Sequence, residues 1–89
     1  SSASAATHLL IVRHRDEVGV LADVFKVLKE QEVNVQEMEN ILLAQAKAAI
    51  AQISVDKALD HDGLLALKHI RAVYDVTQMD IRAARSGEE

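Results

Sequence analysis

At 89 residues, with 14 Asp plus Glu against 10 Lys plus Arg and a formal charge of −4, the chain makes one small domain and leaves no room for a second. It has no Cys, and Phe25 and Tyr74 are its aromatic residues; thiolate metal sites, disulfides and a Cys nucleophile are excluded, and both the basic face and the stacking platform of a nucleic-acid binder are missing. The apolar run Leu9 to Val12 falls far short of the roughly 18 residues that span a bilayer, and no secretory leader pattern is read at the start, so a cytoplasmic protein without membrane contact is expected.

Residues 1–7 are rich in Ser and Ala and read as linker; a start of this kind without Met suggests a piece of a longer chain. His8 to Arg13 is a short apolar run bounded by charge, the pattern of a buried strand. Val20, Leu21, Val24, Phe25 and Leu28 then recur at helical spacing with Asp23, Lys26, Lys29 and Glu30 on the other side, which predicts an amphipathic helix from about Gly19 to Gln31.

Between Glu37 and Gln52, composition and pattern disagree. The many Ala, Leu, Gln and Glu residues favour helix, yet Val33 and Val35 alternate around Asn34, and Ala49, Ala51, Ile53 and Val55 alternate around Ile50, Gln52 and Ser54. Period two decides for strands, at about 34–43 and 47–55, joined by a turn over Ala44 to Lys47 that lacks the Gly such hairpins favour. Leu64, Leu67 and Ile70 at spacing three, behind Asp60, Asp62 and Gly63, predict a second helix running toward Ala72. Val73 to Ile81 is the last strand, and 82–89 is a polar tail.

The order βαββαβ with right-handed crossovers is an α+β fold of the ferredoxin-like class: a four-stranded antiparallel sheet, strand order 4-1-3-2, with two helices on one face. Its thin core, able to bury about 60–65% of the unfolded surface, makes association with a second copy an expectation.

A catalytic site is not read in the chain. Ser54 lacks a base partner, Glu88 and Glu89 sit in the tail, and no Gly-rich phosphate loop is present. His14 with Asp16, or His61 with Asp62, offers two ligands where a metal site wants four, so no metal is assigned. The junction His14-Arg15-Asp16-Glu17-Val18-Gly19-Val20-Leu21 is different in kind. A strand runs into it and a helix runs out, and a helix N-terminus presents unpaired N–H groups that suit a carboxylate, while an Asp or amide oxygen suits an ammonium. Asp16 also suits a helix cap or an Asx-turn, His14 a half-exposed strand end, and Asn34 a self-satisfied loop, although Asn is disfavoured where a strand opens.

The run Asp16-Glu17-Val18-Gly19-Val20-Leu21, followed by Glu32-Val33-Asn34-Val35, resembles the signature of ACT domains, the amino-acid-sensing modules of metabolic enzymes, and most nearly the C-terminal regulatory domain of D-3-phosphoglycerate dehydrogenases. The likeness spans about residues 8–81, and the stretch Asn34 to Asn40 resembles the second strand of some bacterial members. Two positions depart from it: Val18 stands for the usual Pro and Glu32 for the usual Gly.

The resemblance implies an ACT-like regulatory domain that senses L-serine for feedback inhibition in serine biosynthesis. It also implies NAD-dependent oxidoreductase chemistry in a separate catalytic domain, and no cofactor in this chain. The ligand-binding set it implies is His14, Asp16, the backbone of Val18, Gly19, Val20 and Leu21, and Asn34. A helix of about 13 residues is roughly 20 Å long, so Asn34 lies at the far end of the domain from His14 and Asp16. A homodimer with antiparallel first helices and edge-to-edge sheets would join them at the interface. The alternative is a ligand-free dimerisation module of a multidomain protein.

Overall fold

Alternation in the apolar strands sets which face of the sheet is covered. In the computed structural model, which describes residues 6–45 and 47–83, the elements are β1 (His8–Arg15), α1 (Val20–Glu30), β2 (Val35–Leu43), β3 (Ala48–Val55), α2 (His61–Lys68) and β4 (Val73–Asp80). All strand pairs are antiparallel and the sheet order is β2-β3-β1-β4, the expected ferredoxin-like topology.

Leu10, Val12 and His14 of β1 are buried, as are Ala49, Ala51, Ile53 and Val55 of β3. Cross-strand pairing sets Leu10 against Ile53, Val12 against Ala51 and His14 against Ala49. Val20, Val24 and Leu28 of α1 close over this face with Leu67 of α2; each large side chain so buried contributes about 1.5–3 kcal/mol. Leu21 and Phe25, on the flank of the α1 stripe, are only partly covered. Among the described residues neither α1 nor α2 covers the opposite face of the sheet.

Each helix end has a local cause. Gly19 at φ 91° begins α1, and the first intrahelical bond runs from the Asp23 N–H to the Gly19 carbonyl, 3.1 Å. At the other end Val33 N–H reaches the Leu28 carbonyl and Glu32 N–H the Lys29 carbonyl. With Glu32 at φ 57°, this is a Schellman motif built without its usual glycine. Asp60 caps α2 by accepting from the Gly63 N–H at 2.8 Å. Gly63 is required by space: a Cβ there would lie 2.8 Å from the Gln31 side chain and 2.9 Å from Leu59. The Gln78 side chain binds both backbone groups of Leu59, tying the α2 approach to β4.

Three details correct the sequence expectations. α2 stops at Lys68 rather than near Ala72, because Ile70 N–H turns back to the Leu67 carbonyl and Val73 N–H to the Ile70 carbonyl, delivering the chain to the sheet edge. β1 continues through His14 to Arg15, since Arg13 and His14 still pair with β3 and β4. Ala6 and Thr7 are part of the folded unit: Ala6 is buried, and Thr7 bonds Val55 and Ile81 through its backbone. The rest of the expected linker, 1–5, and the tail residues 84–89 lie outside the described residues.

Candidate functional site

The junction between β1 and α1 is held from both sides of the sheet. Arg15 N–H donates to the Ala72 carbonyl at 2.8 Å, ahead of β4, and Asp16 N–H donates to the Lys47 carbonyl at 3.0 Å, in the β2–β3 turn. Lys47 takes φ 53° there, supplying the left-handed residue that the glycine-free hairpin needs. Glu17 N–H then bonds the Arg15 carbonyl, and the chain turns through Val18 and Gly19 into the helix.

Because the first intrahelical bond is made by Asp23, the N–H groups of Val20, Leu21 and Ala22 precede the ladder and point out of the helix mouth. No side chain caps Gly19, so Asp16 does not serve as the α1 cap, and nothing lies within 4 Å of where a Gly19 Cβ would stand. Asp16 is exposed and Val18 projects fully into solvent. Beside the mouth is a hollow of about 270 Å³ lined by Arg15, Glu17, Val20, Asp23 and Arg71 among others, with charges of both signs. Arg15 pairs with Glu17 at 3.0 Å; that hydrogen bond, and next the one to Tyr74, raises the guanidinium above its already high ordinary value.

His14 has a different position from the half-exposed strand end considered above. It is 2% exposed, the one buried polar or charged side chain among the described residues. Its Nδ1 lies 2.8 Å from the Arg15 carbonyl and its Nε2 2.9 Å from Asn40 Oδ1. Asn40 is on β2, with β3 between it and β1. The imidazole crosses that gap because the intervening β3 residues, Ala49 and Ala51, have nothing beyond Cβ. Both ring nitrogens are therefore engaged within the chain.

Asn34 stands at the other end of the sheet. Its N–H donates to Asp56 Oδ1 at 3.0 Å and its carbonyl accepts from the Asp56 N–H at 3.1 Å, next to the level where Val35, Val55 and His8 align. Six strand residues, about 20 Å, separate that level from His14. One chain thus brings together His14, Asp16, Val18, Gly19, Val20 and Leu21, and leaves Asn34 apart. Sequence reasoning missed Asn40, Lys47 and Arg71. For Asn40 a signal existed, in the two alanines that alternate opposite an inward-facing His.

The outer edge of β2 is exposed as well. Met38, Ile41 and Leu42 are 38%, 38% and 60% exposed. Met38 and Leu42 lie on the helix side, opposite buried Ile53 and Ala49.

This arrangement is a ferredoxin-like βαββαβ domain, the fold that ACT domains share. No protein-family model matches the sequence, and no curated protein sequence matches it. Solved structures do match. The chain is similar to the ACT domain from the GTP pyrophosphokinase of Chlorobium tepidum, at 12% identity and TM-score 0.62 over 83% of this chain and 97% of that one. A homoserine dehydrogenase from Thiobacillus denitrificans matches at 16% identity and TM-score 0.69, over 84% of this chain and 17% of the enzyme. A formyltetrahydrofolate deformylase from Pseudomonas putida KT2440 matches at 16% identity and TM-score 0.67, over 82% of this chain and 28% of the enzyme. The chain therefore spans about a sixth of the dehydrogenase and little more than a quarter of the deformylase. Among the described residues no helix is long and apolar enough to cross a membrane, and no group of three or more His, Cys, Asp and Glu could hold a metal ion.

Proposed function

We propose that this domain is a homodimeric amino-acid sensor that binds L-serine between its two copies and so regulates a separate NAD-dependent phosphoglycerate dehydrogenase domain in the cytoplasm. The observation that carries this reading is the separation of complementary groups. The outward N–H groups of the α1 mouth, with Asp16 beside them, stand at one end of the chain, and Asn34 stands about 20 Å away at the other. A second copy in antiparallel orientation exchanges the two ends.

The β2 edge supports such a pairing and favours one register. If both helix layers stay on the same side, a centre at Glu39 sets two carboxylates against each other, which is unfavourable. A centre at Asn40 sets Met38 against the partner's Leu42 and Glu37 and Glu39 against the partner's Leu43 and Ile41. In that register Asn34 falls level with the partner's 44–47 turn, the turn whose Lys47 carbonyl accepts from Asp16. The ligand carboxylate is then taken by the backbone N–H groups of Val18 to Leu21, and Asp16 with the partner's Asn34 takes the ammonium or hydroxyl. His14 enters this site by orienting the junction from beneath, since direct contact would require it to release Asn40 or Arg15.

That internal engagement of His14 also favours the second reading, a dimerisation module that binds no ligand. A thermal-shift screen of the amino acids, run beside sedimentation velocity, separates the two. L-serine at 100 times its dissociation constant adds about 2.7 kcal/mol, roughly 10–20 °C for a domain of this size. A dimer with a flat screen supports assembly alone, and a monomer that binds serine overturns the shared site.

A further inference from the structure

Nδ1 of His14 faces the carbonyl of Arg15 at 2.8 Å, and a carbonyl only accepts. Nδ1 therefore carries a proton in every state in which this contact persists, and Nε2 is the ring position where a proton can be gained or lost. Nε2 faces the Asn40 side chain at 2.9 Å. An amide is the uncharged side chain suited to both cases: with Oδ1 toward the ring it requires an N–H on Nε2, and a half-turn about its last torsion presents Nδ2 to an unprotonated Nε2. Neither state leaves a buried polar atom without a partner, which would cost about 1–3 kcal/mol.

The surroundings leave this exchange to Asn40. The cross-strand neighbours of His14 are Ala49 on β3 and Val73 on β4. From α1 the inward residues are Val20, Val24 and Leu28, while its Asp23 and Lys26 are exposed. Arg13 and Arg15 point to the helix-free face of the sheet and are paired with Asp75 and Glu17. On β2 the neighbour Glu39 lies on that same helix-free face, exposed, and Asp16 and Lys47 are exposed at the end of the strand and in the hairpin turn.

We infer that His14 and Asn40 form a proton-responsive latch between the β1–α1 junction and the β2 edge, in which the Asn40 amide turns its oxygen to a doubly protonated imidazole and its nitrogen to a singly protonated one. The planar amide carries the signal outward. When oxygen faces His14, the amide N–H₂ is what remains for the edge side of β2; when nitrogen faces His14, the carbonyl oxygen remains. A proton taken up inside the domain thus changes the hydrogen-bonding character of the strand best placed to receive a second copy.

The latch requires no ligand, so its test is independent of serine binding. The ¹⁵N resonances of the His14 ring, followed by NMR from about pH 5 to 8 in the 89-residue chain, report both nitrogens separately. The wild type should keep Nδ1 protonated throughout, and any proton exchanged should be the one on Nε2. Asn40→Asp, which offers acceptors only, should raise the His14 midpoint by about one pH unit, a tenfold gain in proton affinity. Asn40→Ala, which offers nothing, should lower it by a comparable amount. This ordering is one that a merely space-filling Asn40 would not produce. Coincident titrations in the wild type and Asn40→Asp overturn the latch, as does loss of the Nδ1 proton in the wild type. If Asn40→Ala does not fold, the comparison of Asn40→Asp with the wild type decides alone.

Discussion

The two outer strands of the sheet face the same problem, an unpaired edge, and meet it in opposite ways. β4 is irregular where it leaves β1, with a register shift between Arg13 and His14. It is studded with Asp75 and Asp80, each in an ion pair with an arginine, and is tied through Gln78 to the backbone of Leu59. Bulges and charges of this kind block further pairing. β2 has nine residues with exposed Met38, Ile41 and Leu42, and its bulge is confined to its start, between Val35 and Glu37. Both non-glycine residues with positive φ among those described, Glu32 and Lys47, flank it. A strand that is strained at both ends, fastened from within by one buried His and open outside is a strand whose position can respond to what binds it.

The largest effect expected from breaking this contrast is on β2 itself. His14→Ala removes the buried imidazole and strands the Asn40 amide, a loss of about 2–4 kcal/mol. By hydrogen exchange, the β2 amides should lose more protection than those of β4; equal loss across both edges would show that His14 is an ordinary core residue.

A smaller effect falls on association. Leu42→Lys places a charge among the exposed apolar side chains of the β2 edge while leaving the monomer within about 0.5 kcal/mol of wild type, because Leu42 is mostly exposed. Dimerisation measured by sedimentation should weaken at least tenfold, whereas Thr77→Lys on the β4 side should leave it unchanged. If both variants act alike, the β2 edge is not the seam.

The smallest effect is a gain. Glu32→Gly relieves a left-handed C-cap and should stabilise the domain by up to about 1 kcal/mol in chemical denaturation, and Lys47→Gly should do the same at the hairpin. A loss at either position would mean that the side chain contributes more than its backbone strain costs.

Much of this fold was legible because alternation outweighs composition. Ala49, Ala51, Ile53 and Val55 sit on a strand even though their neighbours are good helix formers, since a buried face on a sheet rewards period two. The end of α2 was less legible: Ile70 continues the spacing of Leu64 and Leu67, and only the need to turn toward β4 ends the helix at Lys68. Of the candidate site, the proximity of residues 14–21 to one another and their distance from Asn34 could be read along the chain, because strand, turn and helix lengths set them. The burial of His14 could not, because it depends on Asn40, 26 residues away, and on two alanines of a third strand. Contacts between distant strands depend on register, which local pattern does not specify.

Mixing two defective variants shows whether serine sits in a site shared between two copies. Asp16→Ala and Asn34→Ala homodimers should each fail to bind L-serine in titration calorimetry. A mixed dimer holds one site in which Asp16 of one chain meets Asn34 of the other and both are intact. Mixing should restore binding at one serine per mixed dimer; mixtures as inert as their parents, while remaining dimeric, would rule out a site built from both copies.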